Sequence, residues 1–109
     1  SLRFCLDSRK LNEVSKHDSY PLPYITHILD QLKEAKYLTS IDLKSAFHQI
    51  PLDDASKEKT AFTIPGRGLF HYKVMCFGLT SAPATQQRLM DRLFGPEFGG
   101  KVFTYLDDV

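Results

Sequence analysis

A chain of 109 residues, 42% hydrophobic and 12% aromatic, is long enough for one compact domain and too apolar for a disordered tail. Two cysteines and six glycines exclude a disulfide-stapled scaffold and a collagen-like repeat, and no apolar run nears the roughly 20 residues a membrane-spanning helix needs. Fourteen Lys and Arg against thirteen Asp and Glu leave a net charge of +1. That balance gives no overall pull toward a polyanion, but it leaves room for basic contacts offset by catalytic carboxylates.

In chain order, Leu2 to Leu6 is a short apolar run expected to form a strand, and Asp7 to Asn12 reads as a turn or a helical start. Pro21-Leu22-Pro23 breaks the backbone and prepares a helix, whose first turn tolerates proline. Ile25, Ile28, Leu29 and Leu32 then recur at i, i+3, i+4 and i+7, the stripe of an amphipathic helix. Tyr37 to Ile41 reads as a strand delivering Asp42 at its end. Leu43 to Ile50 is open between helix and extended chain, and Asp53 to Glu58 is a polar turn.

Thr60 to Ile64, Pro65-Gly66-Arg67-Gly68 and Leu69 to Met75 have the pattern of a β-hairpin around a glycine-rich loop. A helix follows, with Ser81 as its cap, Pro83 in its first turn and Leu89, Met90, Leu93 and Phe94 as its buried face. Gly95-Pro96 stops it, and Phe98-Gly99-Gly100 links to a last strand, Lys101 to Leu106. Mixed helices and hairpins indicate an α+β fold rather than a doubly wound parallel sheet.

Three carboxylates stand out by position. Asp42 ends one apolar run, and Asp107 and Asp108 end another. Like charges that close repel one another, and carboxylates are expensive to bury unless paired or metal-bound. A divalent cation resolves the conflict, because Mg²⁺ takes oxygen ligands from carboxylates, phosphates and water. The plain alternative is that Asp107-Asp108 merely forms a turn, as Asp53-Asp54 does in its polar stretch. His48 has no second His or Cys at metal-ligand spacing, and His17, His27 and His71 lie in solvent-like or strand contexts. Cys5 and Cys76 are expected to be buried, reduced thiols. No phosphate-loop, nucleophile-elbow or dinucleotide-binding motif is present.

Taken together, R-F-C-L-D-S-R-K-L-N, Y-P-L-P, S-I-D-L-K-S-A-F-H-Q-I, K-T-A-F-T-I-P, F-G-L-T-S-A-P-A-T and Y-L-D-D occur in the order and spacing of one family. The chain resembles the fingers–palm core of a reverse transcriptase of the gypsy-type LTR retrotransposons, over essentially all its residues. The resemblance implies an α+β, right-hand polymerase palm with part of the fingers. Residues 1–41 and 51–75 would be fingers and palm elements, and 42–50 with 76–109 the palm carrying the catalytic motifs. It further implies an RNA-directed DNA polymerase that adds deoxynucleotides to a primer 3′-hydroxyl by two-metal phosphoryl transfer.

The implied roles fall on matching positions. Asp42, Asp107 and Asp108 would be catalytic and would hold two Mg²⁺ ions, or Mn²⁺, with Leu43 as an adjoining backbone contact to metal and triphosphate. Arg3 would grip the triphosphate. Phe47 would be the aromatic gate that leaves no room for a 2′-hydroxyl. Phe77 and Gly78 would lie near the incoming base, and Tyr105 and Pro83 near primer and template. Gln86 and Arg88 are open between template contact and a solvated helix face.

Cys76, Ser81, Gln86 and Ser8 depart from the usual pattern, where proline, asparagine, phenylalanine and an aromatic are common. Expected partners are an RNA or DNA template with its primer, dNTPs, and the thumb, RNase H and integrase of a Pol polyprotein in a cytoplasmic virus-like particle, with no membrane. The return strand after Tyr105-Leu106-Asp107-Asp108 would begin at Val109. The last strand is therefore expected to lack its partner, with the acidic pair at a fraying end and the isolated chain marginally stable and inactive. A catalytically silent relic, or a host-adopted fragment that binds nucleic acid or protein, is the alternative.

Overall fold

The computed structural model describes residues 1–95 and 100–109 and divides them into two compact units. The Pro96 stop and the Phe98-Gly99 linker lie outside the described residues. The elements are helices α1 (Arg9–Val14), α2 (Ile25–Leu32), α3 (Asp54–Lys57) and α4 (Ala82–Phe94) and strands β1 (Phe62–Ile64) and β2 (Gly68–Phe70), with 3₁₀ turns at Ala46–Gln49 and Glu58–Thr60. The α+β expectation holds. Among the described residues no helix is long and apolar enough to cross a membrane.

The first unit comprises Ser1–Asp18 and Ser45–Ala82. Its hairpin pairs Phe62 with Phe70, Thr63 with Leu69 and Ile64 with Gly68. Pro65 and Gly66 occupy the two central positions of the turn, and the Arg67 N–H donates to the Ile64 carbonyl at 2.9 Å. Gly66 has φ +77°, the left-handed geometry that a turn with proline first and glycine second requires. Phe62 stacks across the strands on Phe70 with ring centres 6.0 Å apart, and Phe4 and Tyr72 join it at 5.5 and 5.9 Å.

Ile50 to Leu52 runs antiparallel to Lys73 to Met75 through the Pro51–Val74 bridge. Met75, Cys76, Ala46 and Thr60 are buried. Burial also pushes the Cys76 thiol above its ordinary pKa. Thr60 Oγ1 accepts from the Tyr72 N–H at 2.9 Å and donates to the Lys57 carbonyl at 2.6 Å, so a polar side chain sits in the core with both capacities used. The turn expected at Asp53 is a short helix, α3, because the Asp53 carboxylate caps it by accepting from the Ser56 N–H at 2.9 Å.

Three expectations for this unit are corrected. Leu2 to Leu6 forms no strand, since no described residue pairs with its backbone, and Leu2 and Phe4 are exposed. The strands themselves span three residues each, shorter than the hairpin arms expected. Cys5 is exposed rather than buried.

The second unit comprises Ser19–Lys44 and Pro83–Val109. Helix α2 begins after Tyr24, so both prolines stay outside it, and it buries no residue fully: Ile25 and Leu29 are exposed. Helix α4 forms as expected, but its buried face differs. Gln86, Gln87 and Met90 are buried, whereas Leu93 is 56% exposed and Leu89 is exposed as well. Tyr37 to Ile41 and Lys101 to Leu106 run without regular strand structure. Among the described residues their pairing is confined to isolated positions, Ile41 with Val109 and Tyr105 with Asp108. An apolar cavity of about 630 Å³ is lined by both segments and by Ile28 and Leu32 of α2.

Candidate active site

Asp42 and Asp108 stand directly opposite in an antiparallel bridge. On one side of the pair, Ile41 and Val109 exchange both backbone hydrogen bonds, at 2.7 and 2.8 Å. On the other, the Leu43 N–H donates to the Asp107 carbonyl at 3.0 Å. Asp42 and Asp108 are therefore a non-hydrogen-bonded pair, the position where facing Cα atoms come to about 4.5 Å and side chains are closest. Val109 is held by its two backbone bonds to Ile41.

A second bridge closes the acidic turn. Tyr105 and Asp108 exchange backbone hydrogen bonds, both at 2.9 Å, across the two central residues Leu106 and Asp107. Leu106 adopts φ +56°, a left-handed conformation that two-residue hairpin turns demand and that glycine usually fills. For leucine it is strained by roughly 1–2 kcal/mol. Ser45, two residues before Phe47, is the other non-glycine with positive φ among the described residues. Such strain persists where the surroundings impose it, and it gathers at functional sites.

The turn brings one carboxylate oxygen each from Asp42, Asp107 and Asp108 within 4.8 Å of one another. Asp107 is half-buried and the other two are exposed. Among the described residues none of the three makes an ion pair. Facing like charges in a strand pair are destabilising. An all-carboxylate donor set suits a hard cation such as Mg²⁺ or Mn²⁺, so these residues fit the metal that the sequence implied. Asp107-Asp108 is thus both a turn and part of a carboxylate cluster. Asp53 caps a helix, and among the described residues Asp53-Asp54 joins no metal-binding cluster.

Of the other expected site residues, Leu43 and Tyr105 strap the acidic turn through their backbones, and Pro83 sits in the first turn of α4 between buried Ala82 and Ala84. In the first unit, Phe47 packs on Phe77 with ring centres 5.6 Å apart, and the exposed Arg3 places its guanidinium 4.7 Å from the Phe77 ring centre. His48 packs edge-on to Phe77 at 5.1 Å, and its buried Nε2 has no hydrogen-bond partner among the described residues. Gly78 has φ +98°, and a Cβ there would stand 2.9 Å from Ser8 Oγ and 3.1 Å from the Leu6 carbonyl. Ser8 Oγ donates to the Gly78 carbonyl at 2.6 Å, which explains a small hydroxyl where an aromatic is common.

Four residues that sequence reasoning passed over surround the turn. Gln87 is fully buried, and its Oε1 accepts from the Leu106 N–H at 2.7 Å. Its Nε2 donates to Asp91 Oδ1 at 2.9 Å and lies 3.2 and 3.3 Å from Thr104 Oγ1 and the Thr104 carbonyl. The Tyr20 hydroxyl donates to Asp91 Oδ2 at 2.6 Å, and this bond raises the Tyr20 pKa above the ordinary phenol value. A hydrogen bond contributes on the order of 0.5–1.5 kcal/mol net, enough to offset much of the strain at Leu106. The legible signal was the i, i+4 spacing of Gln87 and Asp91 on one helix face.

The whole chain, residues 1–109, matches the family model described as reverse transcriptase (RNA-dependent DNA polymerase), and the chain belongs to that family. Among curated relatives it is 44% identical over 107 residues to the retrovirus-related Pol polyprotein from transposon 297 and 41% identical over 107 residues to that from transposon gypsy, both of Drosophila melanogaster. It is also 37% identical over 109 residues to the transposon Tf2-3 polyprotein of Schizosaccharomyces pombe. These matches take in 98%, 98% and 100% of this chain, yet the chain spans only 10%, 10% and 8% of those relatives. The gypsy-type resemblance therefore holds.

Proposed function

We propose that this chain is the catalytic segment of an RNA-directed DNA polymerase within a longer retrotransposon Pol polyprotein. The reaction joins a primer 3′-oxygen to the α-phosphorus of a deoxynucleoside triphosphate, releases pyrophosphate and takes its sequence from base pairing with the template. The reading is supported above all by the convergence of Asp42, Asp107 and Asp108 on one turn. These three carboxylates would hold the divalent cation, which when bound supplies Lewis-acid stabilisation of charge on the phosphoryl oxygens.

The remaining roles belong to the same proposal. Leu43 keeps Asp107 beside Asp42 through its backbone, and Tyr105 and Pro83 serve primer and template. On the first unit, Arg3 offers a positive charge to the triphosphate, and Phe47 rejects a 2′-hydroxyl by the bulk of its ring. Phe77 and Gly78 border the base. We assign residues 1–41 and 51–75 to fingers and palm elements and 42–50 with 76–109 to the palm, with thumb, RNase H and integrase as neighbours in the polyprotein.

The test is primer extension with Mg²⁺ and dNTPs by the full polypeptide carrying residues 1–109, alongside its Asp107→Asn variant. The variant should bind primer–template as the parent does and extend nothing above background. Extension at the parental rate by Asp107→Asn would overturn the reading.

A further inference from the structure

We infer that Gln87 is a positioning residue for the acidic turn: anchored by Asp91 and Tyr20, its carboxamide holds Leu106 in the left-handed conformation that aims Asp107 at Asp42. This inference rests on the proposed metal-binding role of the carboxylates and deepens it.

The argument starts from donor and acceptor capacity. A primary amide presents an acceptor at one end and two donors at the other, so whatever binds one end orients the other. The Asp91 carboxylate is acceptor-only when ionised and takes the amide nitrogen at 2.9 Å. Tyr20 fixes Asp91 in turn from the opposite oxygen, at 2.6 Å. The Thr104 hydroxyl, itself 3.3 Å from Asp91 Oδ1, completes the ring of partners around the amide nitrogen. With the nitrogen committed, Oε1 is left facing the Leu106 N–H at 2.7 Å.

That contact falls on the one strained residue of the turn, and the residue after it is Asp107. A relay of side chains drawn from two distant stretches of sequence thus ends on the backbone that carries a proposed ligand. Gln87 touches no carboxylate of the cluster. It acts through the turn, as outer-shell partners of metal ligands do.

The experiment is a titration with Mn²⁺ followed by EPR, together with thermal melts, on the full polypeptide and four variants. Gln87→Met, close in shape and unable to accept from Leu106, should bind Mn²⁺ about 10–100-fold more weakly. Met90→Ala removes a fully buried side chain three residues on from Gln87 in the same helix while leaving the Gln87 carboxamide in place, so it should melt earlier and keep Mn²⁺ affinity within about twofold of the parent. The double variant Gln87→Glu with Asp91→Asn keeps the charge and an acceptor oxygen for Leu106, and should recover most of the affinity even if Gln87→Met folds poorly.

Asp107→Asn separates the two readings. If it leaves Mn²⁺ binding unchanged, the carboxylate site fails and this inference with it. If it weakens binding while folded Gln87→Met does not, only the role of Gln87 is overturned. Equal loss of affinity in Met90→Ala, or no recovery in the double variant, also overturns it.

Discussion

In the first unit aromatic rings carry the packing: Phe4, Phe62, Phe70 and Tyr72 cluster around a hairpin, and Phe47, His48 and Phe77 form a second group beside Arg3. Its backbone takes positive φ at Gly66, Gly68 and Gly78 and at Ser45. In the second unit the buried side chains include two glutamines and a threonine, and the backbone reverses at a leucine held by a carboxamide. Apolar packing tolerates many arrangements of similar energy, whereas the Gln87 amide, bonded at both ends, is satisfied in one geometry. The unit built to one geometry is the one that carries the acidic turn.

This contrast can be broken or sharpened by substitution. The largest effect is expected at Met90, the largest fully buried side chain among the described residues, where Met90→Ala should lower unfolding free energy by about 2–5 kcal/mol in urea denaturation. A loss below about 1 kcal/mol would mean that the polar network alone holds the second unit. Gly78→Ala comes next. Its φ of +98° and the contacts at 2.9 and 3.1 Å predict a loss of about 1–3 kcal/mol, because Ser8 is already committed to the Gly78 carbonyl. An unchanged melting curve would show that the first unit yields there.

The smallest change is expected at the strained turn. Leu106→Gly releases roughly 1–2 kcal/mol of left-handed strain, but it adds about 0.5–1 kcal/mol of unfolded-chain entropy and gives up a half-buried side chain. Calorimetry should therefore find a net change under about 1 kcal/mol. A larger loss would place the leucine side chain, rather than its backbone, at the centre of the turn's stability.

What could be read from sequence follows the range of the interaction. Helices α2 and α4 announce themselves by local periodicity and flanking prolines, and the hairpin turn by Pro65-Gly66, since each is decided within a few residues. The stretches Leu2 to Leu6, Tyr37 to Ile41 and Lys101 to Leu106 have strand-like composition without becoming strands, because a strand exists only where a distant partner pairs with it. Leu89 and Leu93 were expected on the buried face of α4 and are exposed, whereas Gln86, open between a template contact and a solvated face, is buried. Gln87 is buried among partners such as Thr104 and Leu106, which no helical pattern encodes. The convergence of the three aspartates was expected from the family pattern, but the pairing that produces it, Ile41 in register with Val109, was not.

That register also dictates when the site can come into being. Asp42 meets Asp108 across 66 positions of chain, so the cluster has no local precursor and must await closure of a loop longer than half the sequence. Loop closure of that length precedes any reward from the contact, which assigns the carboxylates to a late stage of folding, after the hairpin and helices. An affinity for divalent cations would then rise only with the last cooperative step, making the ion a reporter of the completed chain rather than a nucleus for it.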